Sequence, residues 1–327
     1  MIAVSRARGG AWLSGAAAAL FLLAGCAGVP QTRALLLLPS PEFGQAVELS
    51  SVPFYPQERF QCGPAALASV LGWSGVNVTP EQLEPRVYVP ARQGSLQPEL
   101  LAAARHYRRV PYVLAPELTA VLREVRAGHP VLVLQNLAYD WYPRWHYAVV
   151  VGYDLDRGEL LLRSGTIARH ALPLPTFERT WRRGGYWAVV MLEAGELPAT
   201  AYETDYVRAV LPFEQGADWE TAATAYRSAA TRWPESPGAW FGLGNSAYRL
   251  RDYAAAEAAF RRVLEERPNH AAALNNLAYV LLARGNASEA RRLADRAVAL
   301  EPGNVEYAAT LEEIVRSSSS TVPAAGR

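Results

Sequence analysis

Three prolines, Pro234, Pro268 and Pro302, stand 34 residues apart in the C-terminal half of this 327-residue chain. A fixed period of that length signals one structural unit used repeatedly, each burying its apolar face on the next. Between the first two prolines stand Trp240, Leu243, Gly244, Ala256 and Phe260, and the next interval carries Leu274, Leu277, Ala278, Ala290 and Ala294. Large residues alternate with small ones at helical spacing, as nesting helix pairs require. The interval before keeps Ala222, Tyr226 and Ala229 with a weaker first helix. The spacing predicts an all-α region over 200–316, with units near 203–236 (degenerate), 237–270 and 271–304. A plain Ala-rich bundle is the alternative, but nothing in a bundle holds a constant register. Residues 317–327, Ser-rich and then small, read as a disordered tail.

These residues resemble the tetratricopeptide repeat. The resemblance implies a concave face that binds an extended peptide or a partner protein. An array this short is also suited to packing on a neighbouring domain.

The N-terminus has a different character. Arg6 and Arg8 precede an apolar stretch from Ala11 to Leu23, too short for a settled membrane span and laid out as a secretory signal. It ends in Leu23-Ala24-Gly25-Cys26, which resembles the bacterial lipoprotein signal. That resemblance implies a signal peptide over 1–25 and lipidation of Cys26, with Ala27 favouring the outer membrane, facing the periplasm, over the inner. An ordinary signal peptide with a chance Cys is the alternative. Residues 26–50 read as a tether. The chain has two cysteines, so acylation of Cys26 leaves Cys62 as the only thiol. A lone thiol in an oxidising compartment points to chemistry rather than packing. Every one of the 32 basic residues is Arg, and the net charge of +1 gives no general pull toward nucleic acid or anionic membrane.

Residues 51–195 read as mixed α+β. Helices are predicted over 64–72, 98–107 and 117–127, and strands over 131–134, 146–153, 159–164 and 186–192. Asp154 to Gly158 reads as a solvated hairpin turn rather than a pair of metal carboxylates, and no metal or cofactor is expected. The first helix opens at Cys62-Gly63-Pro64, with Pro in the first turn where its missing N–H costs nothing. A helix N-terminus supplies partial positive charge and free N–H groups that favour a thiolate. Gly63 is expected to let a substrate backbone approach. A thiol nucleophile needs a base. His270 lies in the repeats, His106 and His129 near helix ends, and His170 in a loop or short strand. His146 opens a strongly apolar strand, where its ring can project into a cleft while the core fixes the backbone. If Tyr153 pairs with Glu159, His146 faces Thr166, Ser164 lies diagonally adjacent on the same face, and Arg163 points the other way. Tyr139, Trp141, Tyr142 and Trp145 cluster before His146, either walling the cleft or packing a long loop.

Gln61-Cys62-Gly63-Pro64-Ala65-Ala66-Leu67 and His146-Tyr147-Ala148-Val149-Val150-Val151-Gly152-Tyr153 resemble the bacteriocin-processing, double-glycine leader peptidases. The resemblance implies a papain-like cysteine peptidase domain, with Cys62 as nucleophile, His146 as base and Gln57 helping the oxyanion hole. Two positions differ. The family's Asp on the following strand is replaced by Ser164-Gly165, and Gln57 stands five residues before Cys62, one fewer than expected. Ser164 can accept a hydrogen bond but brings no charge. The reading is therefore a lipid-anchored envelope cysteine peptidase acting on a peptide or protein substrate, with the repeats recruiting substrate or partner. It touches the membrane through its anchor only. A catalytically weak or inactive peptide-binding scaffold is the main alternative. An amidase or transferase acting on cell-wall peptides is a third.

Overall fold

The computed structural model describes residues 28–38, 41–57 and 61–319; Cys26 and the signal stretch lie outside the described residues. In chain order the first part carries α1 (Pro30–Leu37), β1 (Ala46–Glu48), α2 (Cys62–Trp73), α3 (Pro80–Val87), β2 (Tyr88–Val89), β3 (Gly94–Ser95), α4 (Gln97–His106), β4 (Arg109–Val113) and α5 (Leu118–Arg126). Then come β5 (Val131–Asn136), β6 (Trp145–Asp154), β7 (Glu159–Ser164), β8 (Ile167–Pro173), α6 (Leu174–Arg183) and β9 (Ala188–Glu193). The elements expected from the sequence all form, with ends shifted by one or a few residues. Strands β1, β2, β3, β4 and β8 and helices α1, α3 and α6 are additional.

Seven strands form one antiparallel sheet in the order β4-β9-β5-β6-β7-β8, with β1 on the far end of β6. Period-two alternation divides the side chains between two cores. Leu132, Leu134, Tyr147, Val149 and Val151 pack toward α2, α3 and α4. Val131, Val133, Ala148, Val150 and Leu162 pack toward α5 and α6. Between Val150 and Gly152 the β6–β7 register shifts by a bulge. A Cβ at Gly152 would stand 2.5 Å from the Val47 carbonyl oxygen, so only Gly lets β1 close on β6 there.

The stretch expected to be a tether is built into the domain where it is described. Helix α1 buries Thr32 and Leu35, and the buried Glu178 carboxylate accepts from the N–H groups of Gln31 (3.0 Å) and Thr32 (2.6 Å). A carboxylate on a helix N-terminus satisfies orphan donors and the helix dipole together. Gln31 then reaches α5, accepting from the Leu118 N–H at 2.5 Å. Leu36, Leu37 and Leu38 stay exposed.

The second part comprises α7 (Glu203–Gln215), α8 (Trp219–Arg232), α9 (Pro237–Arg249), α10 (Tyr253–Glu266), α11 (Ala271–Ala283), α12 (Ala287–Leu300) and α13 (Val305–Ser319). The pairs α7–α8, α9–α10 and α11–α12 are the three predicted units. Asp218, Ser236, Asp252, His270 and Asn286 each cap a helix by accepting the N–H three residues on. A Cβ at Gly244 would come within 2.7 Å of the Phe260 ring, which explains why small faces large across each pair. Helix α13 runs to Ser319, so the tail does not begin at 317 as expected; residues 320–327 lie outside the described residues.

The two parts share a core. The cluster on the α5–α6 side of the sheet continues through Tyr206, Val210, Phe213, Ala222 and Tyr226 of the repeats. The buried Glu124 carboxylate ties the junction. It accepts from the N–H groups of Ala199 (3.2 Å) and Thr200 (2.8 Å) and from the Thr200 hydroxyl (2.6 Å), and it meets His129 Nδ1 at 2.7 Å. Among the described residues no helix is long and apolar enough to cross a membrane. Gly152→Ala is expected to cost about 1–3 kcal/mol of unfolding free energy, read from the urea midpoint, because the added methyl has no room beside Val47.

Candidate active site

Helix α2 is apolar and buried from Gly63 to Leu71, which fixes its mouth against the sheet. Cys62 is its first residue, half-buried, and the preceding Gln61 makes no side-chain cap. Burial pushes the Cys62 thiol up, against the pull of the N–H groups of Tyr147, Gly63 and Cys62 itself. The Tyr147 N–H, one residue past His146, is the first of these pulls on the thiol. Gly63 has a different role from the one expected. A Cβ there would overlap Ser95 Oγ, so the glycine admits β3 rather than a substrate backbone. The Tyr147 hydroxyl donates to the Ser95 carbonyl at 3.3 Å, and its ring meets Trp187 edge-on, closing the inner wall.

His146 sits one residue inside β6, opposite Gln135 of β5. Its Nε2 lies 2.8 Å from Ser164 Oγ, so the predicted His–Ser pair forms. Burial, followed by the nearby charges of Arg144 and His170, brings the imidazole down to about 4. The neutral ring is the stable form near neutral pH. With Nε2 engaged by Ser164, Nδ1 is the nitrogen left for proton transfer. Thiol and imidazole share no direct hydrogen bond among the described residues.

The hairpin reaches this pairing by an unexpected route. At its tip Asp154, not Tyr153, pairs with Glu159, one residue off the expected register. The bulge at Val151 removes the offset, and Val150 and Val149 meet Leu162 and Arg163 as predicted. His146 and Thr166 do not pair, because β7 ends at Ser164. Gln57 fills the gap. Its N–H donates to the Gly165 carbonyl (3.0 Å), its Oε1 accepts from the Gly165 N–H (3.2 Å), and its Nε2 lies 3.5 Å from the Tyr147 carbonyl. Gly165 adopts φ +58°, a conformation that favours glycine. Arg163 turns to the opposite side and binds the Val52 carbonyl. Gln57, His146 and Ser164 thus converge at one sheet opening, with Cys62 entering from the α2 side.

Two participants escaped the sequence reading. Ser95 lies in a two-residue strand without a pattern to mark it, and the Tyr147 N–H is a backbone group. The aromatic run before His146 is a hairpin bridged at Tyr139 and Tyr142, with Tyr139 and Trp141 stacked at 5.6 Å. Asn136 pins its neck, accepting from the N–H groups of Ala138 (3.0 Å) and Arg144 (2.9 Å). All four rings are exposed, so packing of a long loop does not account for them. Asp154 accepts from the Arg157 N–H at 3.0 Å, the geometry of a turn. Among the described residues no group of three or more His, Cys, Asp or Glu is placed to hold a metal.

Residues 49–189 match the Peptidase_C39 like family, and residues 213–261 and 243–305 match a tetratricopeptide repeat model. Among solved structures, one described as a C39-like peptidase from Bacillus anthracis is 20% identical, with a TM-score of 0.39, covering 46% of this chain and 98% of that one. The first tetratricopeptide domain of human RPAP3 is 19% identical, with a TM-score of 0.35, covering 36% of this chain and 93% of that one. No curated protein matches the chain. The chain therefore carries a C39-like peptidase domain followed by a tetratricopeptide repeat region.

Proposed function

We propose that the chain is a cysteine peptidase acting on peptide or protein substrates, with Cys62 as nucleophile and His146 as base. The observation that carries this reading is the His146 Nε2–Ser164 Oγ contact of 2.8 Å, which orients the imidazole one residue before the Tyr147 N–H that pulls on the Cys62 thiol. The sulfur attacks the scissile carbonyl as its proton passes to His146. Collapse of the tetrahedral adduct breaks the C–N bond, and His146 returns the proton to the leaving amine. Water, deprotonated by His146, then attacks the thioester, and the S–C bond breaks as His146 returns that proton to the Cys62 sulfur, freeing the carboxylic acid product. The Cys62 N–H and Gln57 Nε2 are the donors for the oxyanion, Nε2 being held only by a long 3.5 Å contact to the Tyr147 carbonyl.

A raised thiol and a lowered imidazole make the resting pair neutral, so the proton moves during attack rather than before it. Ser164 orients the ring without a charge to stabilise imidazolium. That absence is also the observation that favours a weakly active or inactive peptide-binding scaffold. The repeats take up an extended segment of the substrate or a partner protein. The chain is proposed to be exported and lipid-anchored through Cys26 in the bacterial envelope, at the outer membrane and facing the periplasm.

Cys62→Ala is expected to abolish hydrolysis of a quenched fluorescent peptide library, and His146→Ala to lower kcat/KM by about 10²–10⁴-fold. No hydrolysis of any library member by the unsubstituted chain, while it still binds peptide, would instead favour the scaffold. The acid limb of kcat/KM should fall near pH 4 rather than 6.5, and Ser164→Asp should move it upward by stabilising imidazolium. The same lowered imidazole makes folding stability fall as pH drops from about 6.5 to about 4, since the unfolded chain binds that proton more readily. His146→Ala should remove this part of the pH dependence in urea titrations. Mass spectrometry of the mature protein should find lipid on Cys26, and a mature chain beginning elsewhere would overturn the anchor.

A further inference from the structure

The repeats form a half-open cavity of about 270 Å³ whose lining includes Glu214, Trp219, Asn245, Tyr248, Asn276 and Tyr279. Its polar groups form one directed chain. Asn275 Nδ2 donates to Asn276 Oδ1 (3.3 Å), Asn276 Nδ2 to Asn245 Oδ1 (2.9 Å), and Asn245 Nδ2 to Glu214 Oε1 (2.9 Å). From the other side the Tyr226 hydroxyl donates to Glu214 Oε2 at 3.1 Å. Every donor points toward the Glu214 carboxylate, and each is neutral. Glu214, Asn245 and Asn276 stand 31 residues apart, three short of the 34-residue repeat, so the chain steps back by about one helical turn from each first helix to the next.

The charge of Glu214 is held by amides and a phenol without a cationic side chain in ion-pair contact among the described residues. Arg249, the cation on the lining, lies 4.9 Å over the Trp219 ring and is occupied there. Burial raises the Tyr248 phenol, and Glu313 of α13 adds a smaller negative contribution there. Tyr248 and Tyr279 wall the space with their rings 6.5 Å apart. Aromatic faces with a carboxylate at the end favour a long side chain tipped by a positive charge.

We infer that this cavity is a binding site for a cationic side chain, lysine or arginine, of a peptide held by the repeats. The inference rests on the reading that the repeats take up a peptide. An acidic side chain would meet Glu214, and a neutral one would leave the Glu214 charge without a counter-ion. Asn245 and Asn276 retain donor and acceptor capacity for the peptide backbone beside that side chain.

The test uses the full chain carrying Cys62→Ala, so that no probe is cleaved. Three probes are compared by calorimetry: Ac-Ala-Ala-Lys-Ala-Ala-NH2, its acetyl-lysine form and its glutamate form. The lysine peptide should bind at least about tenfold more tightly than the other two, a difference of about 1.4 kcal/mol. Glu214→Gln should remove that preference. Tyr279→Leu, which keeps the carboxylate, should weaken the lysine peptide by a similar factor. The chain contains no lysine, so carbodiimide coupling of Glu214 to the probe amine has no internal lysine competitor and should be found by peptide mapping. Equal binding of the acetylated or acidic probe overturns the cation site and leaves the repeats a peptide-binding surface. Binding by none of the three overturns both. Neither result bears on hydrolysis by Cys62.

Discussion

Strand β6 is the constraint on which the other parts depend. Its residues from Tyr147 to Tyr153 are buried, and each face serves a separate core. Along its edges it pairs with β5, β7 and β1. A strand committed on both faces and both edges cannot slide by one residue without exchanging its two side-chain sets. That fixity is what His146, at its exposed end, inherits. The Tyr147 N–H that follows His146 also pulls on the Cys62 thiol at the mouth of α2, so the same strand bears on both candidate reacting groups.

The electrostatics follow from burial rather than from opposite charge. Most of the cost at Cys62 is desolvation, and the helix mouth offsets only part of it. At His146 desolvation again comes first, reinforced by positive neighbours. Ser164 therefore acts as a steric and hydrogen-bonding guide. A carboxylate in its place would do more, because it would also lower the free energy of the charged ring. Gln57 and Gly165 show how the site is closed where the hairpin ends. Backbone and side-chain bonds from one glutamine replace the ladder that β7 no longer supplies.

Much of this arrangement was legible in the sequence because it rests on periodicity. The apolar run behind Cys62 required a helix, and the alternation after His146 required a strand. The 34-residue spacing required stacked pairs. The pairing of His146 with Ser164 was also legible, although its tip register was not. The bulge at Val151 has no marker in a run of three valines, and it alone shifts the register between the hairpin tip and Val150. Long-range polar contacts were less legible. Glu178 closing α1 and Glu124 gripping Thr200 join residues far apart in sequence, and neither carries a local pattern. For the same reason residues 28–38 looked like a tether, since the helix is stabilised by a partner far along the chain.

The continuous core running from the sheet into α7 and α8 has a mechanical consequence. Peptidase and repeats meet through Tyr206, Phe213 and Tyr226 rather than through a flexible linker. A peptide seated on the repeats would therefore be presented to the sheet opening from a fixed direction and at a fixed reach. Were the repeats to hold the substrate of the proposed peptidase, length along that path, measured from the repeats like a ruler, would become part of what it selects.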